Sequence, residues 1–73
     1  MDFLIGDIIK ANEDVDAVFT EIGLGTYIDV PIKSGDEYIV SYINNDEKWF
    51  FATRGNTTGA EITFAQSIKF SKA

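Results

Sequence analysis

Carboxylates, twelve in all, are the only plentiful reactive side chains in this 73-residue chain, which has no histidine and no cysteine. Without imidazole or thiol there is no triad, no thiolate nucleophile and no zinc site built on those ligands. Carboxylates alone could still act as acid/base pairs or hold calcium or magnesium through oxygen. Their spacing argues against both. Asp36–Glu37 and Asp46–Glu47 flank one strand-like run, which at about 3.3 Å per residue sets them on the order of 30 Å apart. Asp14 and Asp16 are two apart in a segment of helical periodicity, where such neighbours do not face each other. No twelve-residue stretch has the ligand pattern of a calcium loop, and Gly23-Leu24-Gly25, with no lysine placed to reach a phosphate, reads as a turn. The expectation is a non-enzymatic protein without metal or cofactor.

What such carboxylates can do is recognise charge. The chain carries a net −6, divided unevenly: residues 1–47 hold −9 and residues 48–73 hold +3. A field of this sign repels nucleic-acid phosphates and anionic membrane surfaces and attracts a basic protein. The candidate acidic contacts are Asp7, Glu13, Asp14, Asp16, Glu21, Asp29, Asp36, Glu37, Asp46 and Glu47. A second candidate set is aromatic, namely Tyr27, Tyr38, Tyr42 and Trp49, because tyrosine and tryptophan offer large contact area at little cost in rotamer entropy.

These residues need elements to position them. In the first 22 residues Leu4, Ile8, Ala11, Val15, Val18, Phe19 and Ile22 recur at steps of three and four, which predicts one amphipathic helix over about 2–22, kinked or split near Asn12. It would present Glu13, Asp14, Asp16 and Glu21 as an acidic strip. After Gly25, β-rich runs alternate with turn signals and predict strands at about 26–32, 37–43, 48–53 and 60–71. Pro31 places the first of these at a sheet edge. The result is a two-layer α+β domain spanning 1–73, its helix packed on a four-stranded antiparallel meander. Ile28, Val30, Ile32, Ile39, Ile43, Ile62, Phe64, Ile68 and Phe70 form the expected core face, with Tyr27, Tyr38, Val40 and Tyr42 outside. Trp49-Phe50-Phe51 leaves open which of the three rings point outward.

With nearly half its residues apolar and ten of them aromatic, the chain can build a core without a disulfide or metal staple. The N-terminus reaches an acid after a short apolar run with no basic leader, and no stretch approaches the roughly 20 apolar residues of a membrane span. A cytoplasmic protein is expected, in a host cytoplasm if it is phage-encoded. Small size, acidity, absence of cysteine and absence of catalytic residues are shared with many phage-encoded inhibitors, among them anti-CRISPR proteins and nucleic-acid mimics. The expected function is therefore an acidic inhibitor or adaptor that occludes a basic surface of a nucleic-acid-handling protein. The alternative is a small virion or assembly subunit that oligomerises through its edge strand and aromatic face, for which a homodimer through the fourth strand is the simplest form.

Overall fold

Among the described residues, seven antiparallel strands in one sheet replace the helix-on-meander arrangement expected from the sequence. The structure is a computed structural model and describes residues 1–20, 27–55 and 58–73. The strands are β1 (Ile8–Ala11), β2 (Val15–Thr20), β3 (Tyr27–Ile32), β4 (Glu37–Asn44), β5 (Trp49–Arg54), β6 (Thr58–Thr63) and β7 (Phe70–Lys72), with a 3-10 helix at Gln66–Lys69 before β7. Their order across the sheet is β3-β2-β6-β5-β4-β1-β7.

Within the predicted helix over 2–22, Ile8–Ala11 and Val15–Thr20 are two strands, β1 and β2, joined by residues 12–14, and residues 21–22 lie outside the described residues. The apparent stripe of threes and fours arose because Ile8 and Val18 are apolar on the outer side. The positions that enter the core run in strict alternation, as Ile9 and Ala11 in β1 and Val15 and Ala17 in β2. Ile5, Ile8, Ile9, Val15, Val18, Thr20 and Ile22 are β-branched, a composition that favours extended backbone over helix. Asn12, expected to kink a helix, marks the break between the two strands.

The sheet must curl, and chain length shows why. β1 and β2 stand four places apart in the sheet order, about 19 Å on a flat sheet. The chain from Ala11 to Val15 can span at most about 14 Å. A flat arrangement is therefore impossible. Curling also supplies the core, since among the described residues no helix layer covers either face. Ile9, Val15, Ile32, Val40, Phe50 and Ile62 from six strands are buried inside the curl, and Phe3 caps it edge-on against Phe50, with ring centroids 6.1 Å apart. Hydrogen bonds hold the junction. The Gly35 N–H donates to the Ala11 carbonyl (2.8 Å), Asn12 N–H to the Lys69 carbonyl (2.8 Å), and the Gln66 side-chain amide to the Asp16 carbonyl (2.7 Å).

A bulge explains the misassigned faces in β4. Register shifts between Val40 and Tyr42, leaving Ser41 as the extra residue with its hydroxyl donating to the Phe51 carbonyl (3.1 Å). Side chains alternate with period two only while pairing is regular, so an inserted residue reverses their sense. Tyr38 and Val40, expected outside, are buried, whereas Ile39 is half exposed. Beyond the bulge Tyr42 points out and Ile43 packs against the core. Phe50 enters the core, leaving Trp49 and Phe51 on the outer side.

The predicted strand over 60–71 is also divided. Its first part is β6, which lies inside the sheet between β2 and β5; the chain then turns through the 3-10 helix, and only Phe70–Lys72 forms the edge strand β7. Ile68, placed in the core by alternation, is 83% exposed on that helix. A dimer through one long fourth strand therefore has no such strand to use. Pro31 does lie on an edge strand, β3.

Candidate acidic and aromatic face

The outer surface of the curl brings together residues that are distant in sequence. Val18 pairs with Asp29 of β3 on one side and with Glu61 of β6 on the other. Glu61 pairs with Phe51, and Phe51 with Tyr42. Residues paired in this way share a face, with Cβ atoms about 4.5–5.5 Å apart. Asp29, Val18, Glu61, Phe51 and Tyr42 thus form one transverse row over five strands, acidic at one end and aromatic at the other. Asp16 adds a third carboxylate, two residues along β2 from Val18 and opposite Pro31. Asp16, Asp29 and Pro31 line a shallow depression there.

At the aromatic end Tyr42 and Trp49 lie 5.7 Å apart at a tilt of 46°, and the indole N–H donates to a Glu47 carboxylate oxygen (3.2 Å). The Asn44 side-chain oxygen accepts from the Glu47 N–H (2.9 Å), fixing the turn that carries this carboxylate. Phe51 serves the fold as well as the face. Its ring lies directly on Gly59, where a side chain would collide with the ring, and approaches Phe19 with centroids 5.9 Å apart.

Nine of the ten acids read from the sequence are among the described residues, and they separate into two groups. Asp7, Glu13, Asp14 and Asp36 pair with Lys72, Lys69, Lys33 and Arg54, at 3.6, 3.8, 3.7 and 3.0 Å respectively. Three of them also accept backbone N–H groups: Asp7 from Leu4, Asp14 from Ser34 and Asp36 from Lys33. These carboxylates serve turns and the β1–β2 junction. The Ser34 N–H, and after it the charge of Lys33, hold the Asp14 carboxyl below the usual aspartate range. Asp16, Asp29, Glu37, Asp46 and Glu47 take part in none of the four ion pairs among the described residues. Glu21 lies outside the described residues, as does the Gly23-Leu24-Gly25 turn. Of Tyr27 only the backbone, opposite Thr20, is described.

Among the aromatic candidates Tyr42 and Trp49 come together on the outer face. Tyr38 does not join them. It is 2% exposed, and burial, reinforced by the charge of Asp36 and opposed by Arg54, raises its hydroxyl above the usual tyrosine value. The acidic helical strip does not exist, because Glu13 and Asp14 sit in the β1–β2 connection and Asp16 on the outer face of β2. Glu61 is absent from the candidates read from the sequence. Its place opposite Ile62 in an alternating run showed that it faces outward, but only the pairing of β6 with β2 sets it beside Asp29.

Among the described residues no three acidic side chains gather in a way that could hold a metal ion, and no helix is long and apolar enough to cross a membrane. No protein-family model, no curated protein and no solved structure matches the chain.

Proposed function

We propose that this chain is a non-enzymatic binding protein that occludes a basic surface of a protein partner, using the outer-face row from Asp29 to Tyr42. The observation that carries this reading is the juxtaposition of Asp29 and Glu61 around Val18, continuous with Phe51 and Tyr42. Asp16, Asp29 and Glu61 stand near one another without a partnering cation among the four described ion pairs. Like charges on one sheet face weaken a fold, so their grouping suits contact with positive charge from outside. The carboxylates steer an encounter, and the Tyr42–Trp49 end contributes apolar area once contact is made. Proteins that handle nucleic acid present surfaces of the required sign, and an inhibitor or adaptor of such a protein is the class of function proposed.

The chain's single tryptophan, Trp49, provides the signal for a test. Titration with a lysine-rich peptide of about ten residues should change its fluorescence, with affinity falling as salt rises. Replacing Asp16, Asp29 and Glu61 together by Asn, Asn and Gln should weaken binding by roughly tenfold, taking each surface charge as worth some tenths of a kcal/mol. Equal affinity in low and high salt, or in the triple variant, would overturn the proposal.

A further inference from the structure

A different part of the outer surface carries the second inference. On β1 and β4 the paired residues Ile8 and Ile39 are 47% and 48% exposed, and the turn leading into β1 adds Leu4 and Ile5 at 67% and 65%. Four large aliphatic side chains are thus exposed on or beside one pair of strands. In the next outward-facing row Lys10 pairs with Glu37. Both are exposed, and neither belongs to the four ion pairs among the described residues. A shallow groove lined by Ile8, Glu37, Ile39, Thr53 and Arg54 runs along the same surface.

We infer that this face associates with a second copy of the chain about a two-fold axis running parallel to the strands, between β1 and β4. Symmetry and charge together support this. Such an axis exchanges the β1 side of one copy for the β4 side of the other. Ile8 then meets Ile39 of the second copy, and Lys10 meets its Glu37, each contact occurring twice. A cross-strand pair of opposite charges is self-complementary under this operation, which is the condition for an isologous interface. A strand pair carrying one sign of charge would repel its own copy. The two copies each bear −6, but at about 0.15 M salt the screening length is near 8 Å, so the facing charges dominate. A standard interface takes about 800 Å² from each partner, about one sixth of the 4773 Å² surface of this chain. Four partly exposed aliphatic side chains make an interface at the small end of the size range, that of a weak, reversible dimer.

The test is sedimentation of the full chain from about 10 μM to 1 mM in 0.15 M salt. Wild type should pass from monomer to dimer. Lys10→Glu sets a new carboxylate against Glu37 of the other copy, and Glu37→Lys sets a new ammonium group against Lys10. Each variant alone should therefore dimerise more weakly, by on the order of tenfold or more. Mixed together, the two variants should form a heterodimer: about the proposed axis the all-acidic strand pair of one variant faces the all-basic strand pair of the other, and both contacts are opposite in sign. A substitution that merely harmed folding would not be rescued by mixing. Wild type that stays monomeric to 1 mM, or variants that fail to rescue each other, would overturn the inference. Neither result bears on the Asp29–Tyr42 row, which is tested by its own variants.

Discussion

Val18 stands directly opposite Glu61, the register pair that joins β2 to β6. Through it the β2–β3 pair meets the strands that carry the aromatic rings, and Asp29 comes to lie across Val18 from Glu61. The acidic and aromatic halves of the proposed surface are one surface because of this pairing.

The carboxylates of the row should be dispensable for folding. Asp29→Asn and Glu61→Gln each remove one of the like charges that flank Val18, so stability in urea should stay level or rise by a few tenths of a kcal/mol, about what a screened surface charge contributes. Asp36→Ala should act in the opposite direction. It strips the Lys33 N–H and Arg54 of their shared acceptor, at a cost of about 1–2 kcal/mol. A loss of stability in the row variants comparable to that of Asp36→Ala would assign the row a structural role.

Gly59 should tolerate no side chain while Phe51 is present. Gly59→Ala pushes its methyl into the Phe51 ring and should cost about 1–3 kcal/mol. In the double variant with Phe51→Ala the collision is absent, so the two effects should fall short of adding. Chemical denaturation of the four proteins measures this coupling.

Alkaline stability should report on Tyr38. Its folded pKa lies above the unfolded value, so the stability it contributes is complete below the ordinary tyrosine range. That contribution is lost as pH rises through the folded value. Tyr38→Phe should flatten the decline in stability between about pH 9 and 12, and the ultraviolet titration of the folded protein should lose a tyrosine that ionises above the ordinary value.

Asp14 supplies the acid-side counterpart. Its folded pKa lies below the unfolded one, so its contribution is present at neutral pH and lost as pH falls through the folded value. Its carboxyl should titrate by NMR below the ordinary value of 3.8. Because the Ser34 N–H is the largest single cause and does not depend on the Lys33 side chain, Lys33→Gln should leave part of the depression in place.

Much of the β structure after residue 26 was legible from alternation and turn residues, and Pro31 correctly marked an edge strand. The first 22 residues were misread because Ile8 and Val18, apolar on the outer side, filled the gaps of an alternating pattern and turned it into a helical one. Ser41 was a different kind of obstacle. One extra residue in β4 reversed the faces of Tyr38, Ile39 and Val40, and a bulge leaves no local signature in Ile39-Val40-Ser41-Tyr42. The proposed site was half legible. Tyr42, Trp49, Asp16 and Asp29 were candidates, but the link through Val18 and Glu61 depends on strands more than 40 residues apart in sequence. Alternation within a strand says nothing about which strand lies beside it.

Chemical-shift mapping of the full chain during titration with the lysine-rich peptide tests the central claim most directly. Binding at the row predicts that amide and side-chain shifts concentrate on Asp16, Val18, Asp29, Phe51, Glu61 and the Trp49 indole, and that they disappear in the triple carboxylate variant while its spectrum remains that of a folded protein. Shifts centred instead on the paired acids Glu13, Asp14 and Asp36, or scattered over the surface without regard to the row, would contradict it.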